Sequence, residues 1–272
     1  RKGMSVTPVM GARITGASIL TGPIDIGFKD CIFCLKIQHF SIHFHAAAQH
    51  PFRQAPDKAK GPAMSIAALI VAAGKGDRAG GAVPKQFAPL GGKAVLAHSV
   101  DAFLAHPDID VTCLVIGEHQ QDLAREALGD RAVAAIVIGG AERQDSVRAG
   151  LSALADHGVS KVLIHDAARP FLSADVIDRL IAALDTSAGV VPALPVVDTL
   201  AHGHSTLGDT VDRSGLMRIQ TPQAFRFDAI MTSHKRWNGG IATDDAQMAR
   251  AAGYEVSIVE GDAALEKITH SP

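Results

Sequence analysis

The sequence predicts an α/β fold, Rossmann-like, with a mostly parallel sheet covered by helices on both faces and a β-hairpin arm projecting from it. Three observations predict it. Short apolar runs alternate with segments of helical period from Met64 onward, as in chains of strand–helix units. The first run, residues 66–73, contains no charge, as expected of a strand buried on both faces. It breaks at Gly74 into a loop of glycines and cations, and open α/β sheets bind ligands at such carboxyl ends of strands.

Composition sets the bounds. The 272 residues, 47% hydrophobic and 20% charged, suit one or two globular domains with a full core. A net charge of −2 gives no basic field to favour nucleic acid, and 4% aromatics leave few platforms for stacked bases, so no nucleic-acid partner is expected. Three cysteines do not make a disulfide framework, which points to a reducing, cytoplasmic compartment. No apolar run approaches the roughly 18 residues that cross a bilayer, so no membrane partner is expected.

Residues 1–63 differ from the rest. They hold eight Lys and Arg against three Asp, and their last stretch, 54–62, reads as a linker before Met64, a natural start. Cys31 and Cys34 with His39, His43, His45 and His50 suggest zinc, but the spacing matches no standard finger and the surrounding residues form an apolar, strand-like patch. The segment is expected to be a poorly ordered or non-native extension to a catalytic domain spanning 64–272.

Strands are predicted at 66–73, 111–117, 133–138, 161–165, 189–192, 216–220 and 255–260. Helices are predicted between them at 95–105, 120–128, 145–154, 173–184, 228–235 and 244–252. After the first strand, glycines at 74, 76, 80 and 81 let the backbone approach a ligand and aim N–H groups at an anion. Arg78 and Lys85 add fixed positive charge, so the ligand reads as a polyphosphate; an ordinary strand-to-helix turn is the alternative. After the third strand, Gly139 and Gly140 open the backbone, and Asp145 or Ser146 is expected to cap the next helix.

The strand at 161–165 ends in HDAARP. Its Asp166 is either a helix cap or loop anchor, or a ligand for the magnesium that accompanies a nucleotide. Residues 198–212 are polar, carry Gly203 and Gly208, and read as a hairpin arm of about 196–213 that finds a partner subunit; His202 and His204 read as solvated turn residues. Lys267 follows the last strand and taken alone reads as a surface lysine.

Together the motifs AAGKGDRAGGAVPKQ, GGAERQDSV, HDAARP, DT at 198 and 199, VDRSGL, TPQAF and KIT closely resemble the 2-C-methyl-D-erythritol 4-phosphate cytidylyltransferase family, from about Ile66 to Thr269. The resemblance implies a nucleotidyltransferase that joins CTP to methylerythritol 4-phosphate and releases pyrophosphate, with Mg2+ as cofactor. It implies Arg78, Lys85 and Lys267 as the catalytic cations. Ala72, Ala73, Gly74 and Gly76 would lie against the nucleotide, Gly140 and Ser146 against cytosine, and Ala167 near the ribose. Asp166 would sit by the magnesium, with Arg169 supporting its turn. Thr199, Arg213 and Thr221 would hold the methylerythritol phosphate, the arm being lent to the neighbouring subunit of a homodimer.

Three departures stand out. Ala141 occupies a position where some members have an aspartate, and Leu265 one where asparagine is often found. The chain stops at Pro272, where the family usually continues into a closing helix, and in some bacteria the domain is fused to the cyclodiphosphate synthase of the same pathway. Competing readings are another sugar- or alditol-phosphate nucleotidyltransferase, a dehydrogenase using Glu118 as its ribose acid, and a non-catalytic nucleotide-binding protein; the dehydrogenase gives Arg78 and Lys85 no role.

Overall fold

The computed structural model describes residues 65–74 and 83–269. The expected extension, with Cys31 and Cys34, lies outside them, as do Gly76 and Arg78 of the glycine-rich loop.

In chain order the elements are β1 (Ser65–Ala72), a 3-10 turn at Lys85–Phe87, β2 (Pro89–Leu90), β3 (Lys93–Ala94), α1 (Val95–Leu104), β4 (Val111–Ile116), α2 (Gln121–Leu128), β5 (Ala135–Ile138) and α3 (Arg143–Leu154). They continue as β6 (Val159–Asp166), α4 (Ala174–Ala183), β7 (Gly189–Pro195), β8 (Leu200–Gly203), β9 (Leu207–Val211), β10 (Met217–Ile219), β11 (Gln223–Arg226), α5 (Phe227–Arg236), α6 (Asp245–Ala251) and β12 (Val256–Glu260). Every predicted helix is present.

Strands β5, β4, β1 and β6 run parallel in that order, with β1 at the centre. β12 pairs parallel with β7. Between these two parallel blocks lies β11, antiparallel to both β6 and β7, and β10 carries the antiparallel pairing along the rest of β7. The sequence reading has no strand at 223–226, because four residues directly after a Pro give too short an alternation to register as one. Phe225, fully buried, is what secures it.

The two faces of β1 feed two cores. Ala68, Ile70 and Ala72 pack with Leu96, Val100 and Phe103 of α1, Leu128 of α2 and Val176 and Leu180 of α4. Ala67 and Leu69 pack with Val147 and Leu151 of α3, Ile230 of α5 and Ala246 of α6. This is why the run shows no polar alternation: both faces are dry, and each buried Leu or Ile contributes about 1.5–3 kcal/mol. α3 comes closest at Gly150, where a side chain would run into Leu69 and Val115. Cys113 of β4 is a free, buried thiol whose pKa burial pushes up to about 11, which leaves it protonated.

β8 and β9 pair only with each other and form the predicted hairpin arm; its residues are exposed except for Val211. Among the described residues no helix is long and apolar enough to cross a membrane.

Candidate active site

The parallel strands β6, β1, β4 and β5 end on the same edge of the sheet, and a cavity of about 650 Å³ opens at the carboxyl ends of β1, β5 and β6. Ala72, Ala73 and Gly74 form one wall as the chain leaves β1. Gln86 fixes this exit: its buried side-chain amide donates to the carbonyls of Ala72 (2.8 Å) and Gly74 (2.7 Å). Lys85, its neighbour, lines the same cavity. The glycine-rich loop thus begins and ends on one strand terminus.

The opposite wall is the start of α3. The helix begins at Arg143, two residues before the predicted boundary, because Glu142 rather than Asp145 or Ser146 is the N-cap. Asp145 instead accepts from the Glu142 N–H at 3.3 Å, half of a capping box, and the Ser146 hydroxyl donates to the Glu142 carbonyl at 3.2 Å. Gly140 and Ser146 line the cavity beside Ala141. Gly139 is needed for this approach, since a Cβ there would stand 2.8 Å from that of Ala73.

Asp166 and Ala167, at the end of β6, complete the wall. Asp166 is 8% exposed and takes a cation on each oxygen: Arg143 donates Nε–H to Oδ1 at 3.0 Å, and Lys267 donates Nζ–H to Oδ2 at 2.7 Å. Burial on its own would push the Asp166 carboxyl up, but the charges of Arg143 and Lys267 outweigh it and hold it well below the usual carboxylate range. Its backbone N–H donates to the Thr221 hydroxyl at 3.1 Å, and that hydroxyl lies 3.2 Å from His165 Nδ1. His165 Nε2 is 3.0 Å from the Arg169 carbonyl. Burial pushes His165 down to about 4, so near neutrality it donates from Nε2 and accepts the Thr221 proton at Nδ1.

Lys267 reaches Asp166 because its segment is pinned to the turn after β6. Arg169 donates Nη1–H to the Leu265 carbonyl at 2.5 Å, and Ile268 donates its N–H to the Ala168 carbonyl at 2.9 Å. Leu265 is fully buried in the core with α4, so the leucine anchors this segment by packing.

A second cavity, about 170 Å³, adjoins the first and shares Arg143, Asp166 and Lys267 with it; the rest of its lining includes Arg169, Gln220, Thr221, Gln223, Thr243 and a second carboxylate, Asp244. Two anions bound in the two cavities would therefore lie on either side of the same three charges. Of the residues expected from sequence, Ala72, Ala73, Gly74, Lys85, Gly140, Ser146, Asp166, Ala167 and Lys267 come together in the larger cavity, and Arg169 and Thr221 in the smaller. Thr199 and Arg213 line neither: both are exposed at the base of the arm. Arg143 and Gln86 escaped the sequence reading, although each sits inside a quoted motif.

A magnesium ion bound with a nucleotide usually takes one or two carboxylates and draws its other ligands from phosphate and water. One carboxylate at the junction of two cavities, with cations able to move from it onto phosphate oxygens, fits that donor set. The group of His106, Asp108 and Asp178, whose ligand atoms lie within 4.8 Å of one another, joins the loop before β4 to α4, and none of its three residues lines either cavity.

Comparison with known proteins gives a consistent result. The family profile described as "IspD: 2-C-methyl-D-erythritol 4-phosphate cytidylyltransferase" matches residues 66–272. A 2-C-methyl-D-erythritol 4-phosphate cytidylyltransferase of Cereibacter sphaeroides is 51% identical over 211 residues, covering 76% of this chain and 92% of that one. A bifunctional enzyme IspD/IspF of Rhizorhabdus wittichii is 61% identical over 206 residues, which is 75% of this chain but 53% of the relative; the chain spans about half the length of the bifunctional proteins it matches. The crystal structure of 2-C-methyl-D-erythritol 4-phosphate cytidylyltransferase from Thermus thermophilus superposes with a TM-score of 0.63 at 34% identity, covering 76% of this chain and 94% of that one.

Proposed function

The chain belongs to the 2-C-methyl-D-erythritol 4-phosphate cytidylyltransferase family, and from that premise we propose that it transfers a cytidylyl group from CTP to 2-C-methyl-D-erythritol 4-phosphate. The products are pyrophosphate and 4-diphosphocytidyl-2-C-methyl-D-erythritol, an intermediate of isoprenoid-precursor synthesis. The observation that carries the proposal is the pair of adjoining cavities sharing Arg143, Asp166 and Lys267.

In this reaction a phosphate oxygen of the acceptor bonds to the α-phosphorus of CTP while the bond from that phosphorus to the bridging oxygen breaks, and the electron pair leaves with pyrophosphate. The acceptor phosphate is already a nucleophile, so the protein need not activate a Ser, Cys or His. Its work is to hold two anions in line and offset their repulsion. The larger cavity is proposed for CTP, with Gly140 and Ser146 at cytosine, Ala167 at the ribose, and the backbone from Ala72 through Gly76 at the phosphates. Arg78, Lys85 and Lys267 are proposed to carry the charge that builds on the α-phosphoryl group, Lys267 leaving Asp166 for phosphate. Asp166 would hold Mg2+, which when bound supplies a further positive charge to the phosphates.

The smaller cavity is proposed for the acceptor, with Thr221 from the same chain. Thr199 and Arg213 are proposed to complete it from the arm of a second copy in a homodimer. The exposed apolar side chains of the arm support this, Leu207 at 86% and Val197 at 72% exposure among them. The buried, protonated thiol of Cys113 suits the cytoplasm.

The test is pyrophosphate release with CTP, methylerythritol 4-phosphate and Mg2+, against ATP, GTP, UTP and an Arg78→Ala sample. Release is expected only with CTP and the acceptor together, and to be lost in Arg78→Ala. No release with intact CTP binding would overturn the acceptor; release undiminished in Arg78→Ala would overturn the role of the loop.

A further inference from the structure

Asp245, the first residue of α6, is a carboxylate with 0% exposure that lines neither cavity. Taking such a charge out of water is expensive unless it is paired. Its partners are specific. Arg143 donates Nη1–H to Oδ2 at 2.6 Å, and His234 of α5, itself buried, meets Oδ1 with Nε2 at 3.1 Å. The Gln223 side-chain carbonyl accepts the backbone N–H groups of Asp245 and Ala246 at 3.1 and 3.0 Å, fixing the helix start.

A guanidinium beside a lone carboxylate normally closes on it with two parallel N–H donors. Arg143 does not: Nε goes to Asp166 and Nη1 to Asp245, so each acid receives one. We propose that Asp245, braced by His234 and Gln223, is a positioning residue that holds Arg143 by one edge and so limits its grip on Asp166 to a single hydrogen bond. Asp166 then keeps its second oxygen for Lys267 in the free enzyme and for the metal–nucleotide when it binds. Without Asp245, Arg143 turns its fork onto Asp166 and draws the carboxylate away from the cavities. The inference rests on the cytidylyltransferase reading and adds to it a residue that touches no substrate.

The experiment uses the full chain with Asp245→Asn, which keeps size and removes charge. Expected are a fall of about 10- to 100-fold in kcat and a similar weakening of Mn2+ binding to the protein–CTP complex, read by paramagnetic resonance without acceptor, as for other partners that orient a metal ligand. The CTP dissociation constant in EDTA should stay within about two-fold, because Asp245 makes no contact with the nucleotide cavity. Ile230→Val, in the core of α5, is the matched control: lower Tm with unchanged kcat.

If Asp245→Asn lowers only Tm, Asp245 is a staple between α3, α5 and α6 and the inference falls. Should that variant not fold, His234→Ala frees Asp245 to rotate and is expected to lower kcat about five-fold, and His234→Gln, which returns an N–H donor, to restore it. Wild-type kcat in His234→Ala overturns the proposal equally. A wild-type enzyme that releases no pyrophosphate from CTP and acceptor overturns the underlying reading instead, and the inference with it.

Discussion

The cavities and the arm are built on opposite principles. Around Asp166, side chains from β6, α3, the residues before β11 and the C-terminal segment interlock: the carboxylate has a cation on each oxygen and its N–H bonds Thr221, while Arg143 Nη2 and Arg169 Nε are buried without a hydrogen-bond partner among the described residues. In the arm, β8 and β9 bond only to each other, their apolar side chains face outward, and the two residues expected to bind substrate lie in neither cavity. The difference teaches where one chain is sufficient. Charge neutralisation needs a dry setting and is assembled within the chain; on the proposed reading, the arm would gain a packed environment from a second copy.

The largest expected effect would sharpen this contrast. Lys267→Ala should lower turnover on the order of 10²-fold or more, the scale for losing one donor to a developing anion, and Arg213→Ala should also be severely impaired. Mixing and re-associating the two inactive variants should restore about a quarter of wild-type activity, since half of a random dimer population then carries one intact site. Absence of recovery would mean that the arm serves its own chain.

Next comes the core under the cavity. Leu151→Ala removes a fully buried side chain from the core that α3 shares with β1 and should cost about 2–5 kcal/mol in chemical denaturation, with kcat unchanged well below Tm. In the arm, Leu207→Ser should leave denaturation of the monomer within about 0.5 kcal/mol of wild type and shift the association equilibrium measured by sedimentation. Equal effects in the two places would break the comparison.

The smallest effect concerns Asp101 of α1, which the Arg131 hydrogen bond holds at about 2. Because the folded pKa lies below the unfolded value, its contribution is complete above about pH 4 and is lost as pH falls towards 2. The group is partly exposed, so the contribution is below about 1 kcal/mol; Arg131→Ala should flatten the acid limb of stability against pH by no more than that.

Much of this molecule is legible without coordinates. The uncharged run before Gly74 identifies a central strand, and the order of short motifs identifies the family. Lys267 is instructive: alone it reads as a surface lysine, and only the motif around it suggests a role. Gln86 and Arg143 lie inside recognised motifs, yet nothing local distinguishes a glutamine that ties down a strand end from one that faces water. β11 is missed because its four residues owe their strand conformation to the neighbours on either side.

What the sequence determines by itself is what is written at short range: the period of apolar residues, the glycines that let backbone approach backbone, the charges available at strand ends. What only the tertiary structure decides is which charges meet. Arg143 lies 23 residues from Asp166 and 102 from Asp245, and Lys267 lies 101 from Asp166. Those pairings depend on α3, α6 and the C-terminal segment docking on a single sheet end. That docking follows from burial of apolar faces, which is non-directional and leaves no mark on the charged residues it brings together.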